Sequence, residues 1–171
     1  MNIKIRPTLQ EDIPAIFEIY DHAIAYQKTA GNNHWLGFDP AMVAGEITEG
    51  RHFKIRGGES IVATFCITLS DPLIWKDSAE IAAIYIHRIA IRQDFRGNKV
   101  LGHIIDWAKL YSADNHLDRI RIDTGSGNDR LINYYIRSGF AYLGDTGVDY
   151  TPDLPLHYKD GEFALLEMPA K

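Results

Sequence analysis

One cysteine, Cys66, stands among 171 residues, so no internal disulfide is available and nothing asks for an oxidising compartment. Long apolar runs are missing too. No stretch approaches the roughly 20 consecutive apolar residues of a spanning helix, and residues 1–10 carry no apolar core of leader length. A cytoplasmic location away from membranes is the expectation. Positive charge is in deficit: 18 Lys and Arg against 23 Asp and Glu give a formal net charge of −5. That balance speaks against a nucleic-acid partner, which selects a basic face, and mildly favours a cationic one. No His-Glu-x-x-His or Cys-x-x-Cys occurs and the seven histidines are scattered, so no metal is expected. Repeats, low-complexity tracts and linker-like stretches are absent as well, and residues 1–171 read as one α/β domain.

What is present has clear periodicity. Ile3, Lys4, Ile5 and Arg6 alternate and stop at Pro7, as a short strand does. Thr8 and Glu11 stand at capping-box spacing before Ile13, Ile16, Phe17, Tyr20 and Ile24, which share one helical face. Gly31-Asn32-Asn33 breaks that helix, and a second, shorter one is predicted over residues 40–48. Residues 52–56 and 61–69 form a hairpin about Gly57-Gly58-Glu59. Residues 82–91 are apolar on both faces apart from His87 and Arg88, which suits a central strand. A loop over residues 92–97 opens a helix whose Val100, Leu101, Ile104, Ile105, Ala108 and Tyr111 face inward. Residues 119–123 make a strand, residues 129–138 a helix ended by Gly139, and residues 140–143 and 163–168 closing strands.

A strand that feeds a tight loop into a helix aims free backbone N–H groups and the positive helix end at one spot, and such a spot binds phosphate. Here that loop holds Arg96, Gly97 and Asn98; on spacing alone an ordinary βα turn with a flexible glycine is the better fit. The run Ile86-His87-Arg88-Ile89-Ala90-Ile91, the loop Asp94-Phe95-Arg96-Gly97-Asn98, and Asn128 seven residues before Tyr135 with Gly139-Phe140 following together resemble the GNAT acetyltransferase superfamily. With Arg96 first in that family's phosphate motif, Lys99 takes its first glycine position and Leu101 the second small position, and Gly102 falls one residue late. Rival motifs fail. Gly125-Ser126-Gly127 mimics a dinucleotide fingerprint, but Arg130 replaces its third glycine. Thr124 likewise spoils a nucleophile elbow.

The resemblance implies an α/β (α+β) GNAT fold, a mostly antiparallel mixed sheet of six to seven strands flanked by about four helices. It implies acetyl-CoA as cofactor, held by Ile89, Ala90 and Ile91 along the strand, by Arg96, Gly97, Asn98, Lys99, Val100, Leu101 and Gly102 at the pyrophosphate, and by Asn128 and Tyr135. Tyr135 corresponds to the residue that protonates the departing thiolate. His87, on a Tyr85–His87–Ile89 face, is the candidate base for a small-molecule or peptide amine, against a core histidine as the alternative. Tyr26, His34, Trp35 and Tyr85 are the expected acceptor-pocket residues, with loop anchoring as the alternative for Trp35. A homodimer is compatible with the family. Two other functions fit the same resemblance: a non-catalytic acyl-CoA sensor and a protein N-terminal acetyltransferase.

Overall fold

The alternating Ile3 and Ile5 build β1 (Ile3–Pro7) in the computed structural model, which describes residues 3–171. Two helices follow, α1 (Ile13–Thr29) and α2 (Pro40–Thr48), and then β2 (His52–Gly57), β3 (Ser60–Thr68) and β4 (Ala83–Ile91). The second half runs α3 (Val100–Asp114), β5 (Arg119–Gly125), α4 (Asp129–Arg137), β6 (Ala141–Gly147) and β7 (Glu162–Pro169). Among the described residues the strands form one seven-stranded sheet in the order β1-β2-β3-β4-β5-β7-β6. Every neighbouring pair is antiparallel except β4 with β5.

The helices cover both faces of this sheet. On one face Ile55, Ile84, Ile104, Ile120 and Leu166, each 0% exposed, pack with Phe65 beneath α3 and α4. Full burial of one such side chain stabilises the fold by about 2 kcal/mol. On the other face Ile16, Ile19, Tyr20 and Val43 of α1 and α2 close over Ala90. A third cluster, Ile74, Trp75, Tyr85, Tyr158 and Phe163, joins the β3–β4 loop to the β6–β7 loop. Of the six inward positions expected for α3, five are buried against the sheet and the sixth, Tyr111, is half-buried beside them.

The start of α1 differs from the capping box read at Thr8 and Glu11. The helix begins at Ile13 behind a single 3-10 turn, Gln10–Asp12. The Asp12 carboxylate, not Glu11, accepts the Leu9 N–H at 2.7 Å and also receives Lys54 Nζ at 2.5 Å. Thr8 has another use: its hydroxyl lies 2.9 Å from His52 Nδ1, while His52 Nε2 meets the Tyr20 hydroxyl at 2.9 Å. This buried chain ties α1 to the sheet through a neutral imidazole, one nitrogen donating and the other accepting.

Burial, helped by the nearby Arg88 charge, pulls His52 down to about 3. Burial likewise pulls His157 down to about 4. In the unfolded chain both rings take a proton near the ordinary 6.5. The unfolded state therefore binds more protons across the interval below 6.5, and stability present above it is lost as pH falls. Thermal midpoints are expected to drop steadily from about pH 7 to about pH 4.5, and His52→Gln should flatten that slope. Midpoints that stay level over the interval would contradict buried neutral rings.

Candidate active site

Strands β4 and β5 lie in register only from Ala83↔Arg119 to Ile86↔Ile122. Beyond that point they part. β4 continues along β3 to Ile91, and β5 continues along β7 to Gly125. Backbone groups of Ile89 and Ile91 on the β5 side therefore face a gap, whereas those of Ala90 turn toward Thr64 of β3, and a peptide-like amide chain is the kind of molecule that completes such an edge. The parting starts at a bulge. Thr64 pairs with Ala90 and Cys66 with His87, so β4 spends one extra residue there, and Arg88 adopts φ 52°.

The bulge also changes which side chains share a face. His87 keeps company with Tyr85, but Ile89 and Ile91 turn to the opposite face, under α3 and α4. The expected Tyr85–His87–Ile89 face is thus broken, because the inserted residue reverses the alternation. Tyr85 itself is 0% exposed, and its hydroxyl accepts from Arg121 Nη1 at 3.1 Å. As a substrate contact Tyr85 is corrected to a residue sealed beneath the site, since no part of it is open to an incoming molecule.

Below the gap, a 3-10 turn (Gln93–Phe95) sinks Phe95 into the core and leads through Arg96 to α3. Gly97 has φ +86°, and a Cβ there or at Gly102 would meet nothing within 4 Å. Among the described residues no acceptor takes the N–H of Gly97, Asn98 or Lys99, and Val100 and Leu101 begin a helix whose first N–H groups have no intrahelical partner. The Asn98 side chain bonds the Phe95 carbonyl at 2.9 Å and holds the loop shut. Arg96 stacks on Tyr26, its guanidinium carbon 3.6 Å from the ring centroid, which links α1 to this loop. Lys99 precedes α3 in a left-handed conformation, φ 55° and ψ 32°, where a Cβ costs about 1–2 kcal/mol. Lys99→Gly is expected to raise stability by about 1 kcal/mol, measured as a shift of about 3 °C in the thermal midpoint. A fall in the midpoint would show that the lysine side chain offsets its own strain.

On α4, the Asn128 side-chain Oδ1 caps the helix by accepting the Leu131 N–H at 3.3 Å. Two turns on from Asn128, Tyr135 is buried against Phe140 with ring centroids 5.9 Å apart. Its hydroxyl donates to no group among the described residues. Burial first, then the charges of Asp123 and Tyr134, push this phenol above the ordinary tyrosine range. It keeps its proton through neutral pH.

The opposite face carries a charge cluster. His87 Nε2 lies 3.1 Å from Asp71 Oδ2, and His87 Nδ1 lies 3.2 Å from Asp123 Oδ1. Asp123 Oδ2 in turn accepts the Tyr158 hydroxyl at 2.9 Å. Burial opposes charge on His87, but the flanking Asp123 and Asp71 overcome it and raise the ring well above the usual 6.5. The two carboxylates thus favour the protonated ring, whereas the sequence reading takes His87 as a neutral base. The three side chains offer metal-ligand atoms within 4.8 Å of one another. Yet the two ring nitrogens face different carboxylates, whereas metal donors converge on one point at about 2.0–2.2 Å.

Next to this cluster, Arg88 crosses to α2 and pairs with Glu46, touches Cys66 Sγ at 2.9 Å, and lies 5.0 Å from the Phe38 ring centroid. Trp35 packs on Tyr20, Phe38 and His157 at centroid separations of 6.2, 5.3 and 6.3 Å, and His34 Nδ1 holds the Trp35 carbonyl at 2.8 Å. Phe38 also borders an open cleft of about 650 Å³ between the α1–α2 and β6–β7 loops, lined further by Leu36, Met42, Tyr150, Leu154 and Leu156. So the structure brings His34 and Trp35 to the His87 side of the sheet and Tyr26 to the phosphate-type loop.

Asp71, Asp123 and Tyr158 did not emerge from the sequence. Asp71 sits in an irregular loop and Tyr158 in another, with no local pattern to mark them. Asp123 had a signal: Arg121 and Asp123 are charged residues two apart on a central strand, where charge is rare unless paired.

The profile of the family described as "Acetyltransferase (GNAT) family" matches residues 14–140. The chain is 25% identical over 152 residues to the uncharacterized N-acetyltransferase YesJ of Bacillus subtilis (strain 168), covering 84% of each chain. A GNAT-family acetyltransferase from Listeria monocytogenes 4b F2365 has a similar structure, with TM-score 0.76, 21% identity, and coverage of 98% of this chain and 94% of that one. YncA from Salmonella typhimurium, solved with its cofactor acetyl-CoA, aligns with TM-score 0.68 at 11% identity over 100% of this chain and 95% of its own.

Proposed function

The chain belongs to the GNAT acetyltransferase family, and from that premise we propose that it is an N-acetyltransferase moving acetyl from acetyl-CoA to a primary amine by direct transfer in a ternary complex. The observation that carries this reading is the parting of β4 from β5 after Ile86↔Ile122, directly above the open N–H groups that begin α3. Acetyl-CoA brings to that place an amide chain, a diphosphate and a reactive thioester.

Each part has a counterpart in the chain. Ile89 and Ile91 supply unpaired strand groups for the amides, with Ala90 between them holding the strand to β3. The N–H groups of residues 97–101 and the dipole of α3 suit a diphosphate, and Gly102 leaves room beside them. Arg96, already fixed by Tyr26, adds a positive charge. A backbone N–H beside Ile89 polarises the thioester carbonyl. Tyr135 holds a proton that the leaving thiolate accepts. Bringing two reactants together on one sheet supplies the remaining advantage through orientation.

Calorimetric titration tests the donor half, with CoA and NADH as comparators. Saturable binding of acetyl-CoA and CoA but not NADH is the expected result. Absence of binding would overturn the reading, because neither the gap nor the loop would then serve acetyl-CoA.

A further inference from the structure

We propose that Arg88 is a positioning residue: its pairing with Glu46 of α2 sets the register of β4 beyond His87. It thereby decides that Ile89 and Ile91, not Ala90, present their backbone groups to acetyl-CoA. This rests on the acetyltransferase reading above.

The apolar residues of β4 do not choose this register. With the bulge, Ile84, Ile86, Ile89 and Ile91 lie under α3 and α4, while Tyr85, His87, Arg88 and Ala90 turn to the opposite face, where α2 lies. A regular strand would bring Ile89, not Ala90, opposite Thr64 and flip every later side chain. Its α3 face would then hold Ile84, Ile86, residue 88 and Ala90. The other face would hold Tyr85, His87, Ile89 and Ile91. Apolar residues fill either version, and position 88 tells them apart.

In the regular register the Arg88 guanidinium would enter the apolar cluster beneath α3, across the sheet from Glu46. An unpaired charge is strongly disfavoured there. In the bulge the side chain, 5% exposed, turns to α2 instead and pairs with Glu46, itself 9% exposed. It also touches Cys66 Sγ at 2.9 Å and lies over the Phe38 ring. This gain opposes a cost, since φ 52° at residue 88 is the left-handed conformation that a side chain resists. The ion pair holds a backbone shape that the local sequence gives no other reason to adopt.

The backbone follows the side chain. The Arg92 N–H donates to the Val62 carbonyl at 2.9 Å and Ala90 stands opposite Thr64, so Ile89 and Ile91 turn to the gap. A slip of one residue reverses this. Ile89 and Ile91 would then bond β3, and Ala90 would face the gap between them. The groups offered to the amides and to the thioester carbonyl would move by about 3.3 Å, out of step with Tyr135 and the start of α3.

Cross-strand contacts measured by nuclear magnetic resonance report the register without a ligand, and calorimetric titration of acetyl-CoA reports its consequence. Two variants share Glu46→Gln, so neither strands a carboxylate. Arg88→Met/Glu46→Gln suits either face and is expected to bring Thr64 opposite Ile89. Its acetyl-CoA affinity should fall at least about tenfold, as for two lost hydrogen bonds. Arg88→Gly/Glu46→Gln takes the left-handed conformation freely and should keep Thr64 opposite Ala90, with affinity within about threefold of the parent's. A purely structural ion pair predicts the reverse order, because glycine loses more packing than methionine. Arg88→Ala/Glu46→Gln replaces the methionine variant if that one does not fold. Thr64 still opposite Ala90 in the methionine or alanine variant would overturn the proposal, as would a shifted pairing that leaves acetyl-CoA affinity intact. A shifted pairing in a chain whose parent does not bind acetyl-CoA would uphold Arg88 as the register residue and sink the donor reading.

Discussion

Tyr135→Phe is expected to lower kcat about 100-fold, within the range for loss of a positioned proton donor, while acetyl-CoA affinity stays within about twofold. The substitution isolates one atom. The Tyr135 ring packs edge-on against Phe140 at 5.9 Å, and phenylalanine keeps that contact. Its hydroxyl makes no hydrogen bond among the described residues, so removing it leaves no buried partner stranded and stability should hardly move. Everything lost is then chemical. Because burial and the Asp123 and Tyr134 charges raise the phenol above the ordinary tyrosine value of 10.0, it is protonated at every pH below that. Any alkaline fall in the wild-type rate below about pH 10 must come from another group. Release of free thiol from acetyl-CoA, followed as a function of pH with a saturating amine, measures both points. Turnover equal to the parent's would mean that the thiolate leaves without help from this residue.

The parts of the fold that were legible are those with a phase. α2 was expected at residues 40–48 and is found at Pro40–Thr48, and the inward row of α3 follows from its 3.6-residue period. β4 shows why other parts were hidden. Its residues are apolar on both faces, so the pattern has no phase to lose and an inserted residue at Arg88 leaves no trace. The bulge nonetheless decides which side chains share the His87 face. Asp71 and Asp123 reach His87 from a loop and from a neighbouring strand, a meeting made by topology that no local spacing encodes. Thr8 illustrates a competition instead: its hydroxyl suits a helix cap, but a buried histidine outbids that use. The loop before α3 was readable because its character lies in backbone geometry, which Gly97 and the start of α3 announce.

Arg121→Met is the second large effect, expected to destabilise the protein by about 3 kcal/mol and lower the thermal midpoint by roughly 6–12 °C. Arg121 lies on β5 with its side chain only 2% exposed. It donates to both oxygens of Asp77 at 3.0 Å and to Glu167 Oε2 at 2.7 Å, and its guanidinium sits 4.4 Å from the Trp75 ring centroid. Methionine fills much of the same space, so packing is largely retained. The cost arises from what is left behind. Glu167, 18% exposed, keeps a carboxylate with little water and only the half-exposed Arg119, 3.3 Å away, to balance it, whereas Asp77, 45% exposed, is rehydrated. Glu167→Gln in the Arg121→Met background should therefore recover part of the loss, since it removes a carboxylate that Arg119 alone then balances. Arg121→Lys should fall in between, because an ammonium cannot reproduce the forked contact with Asp77. Trp75 and Asp77 belong to the same β3–β4 loop as Asp71, and the loop loosens when Arg121 releases them. In Arg121→Met the KM for an amine should accordingly rise while acetyl-CoA affinity holds, because the gap beyond Ile86 and the start of α3 do not depend on that loop. A midpoint within about 2 °C of the parent's would show that the ion cluster contributes no more than apolar contact would.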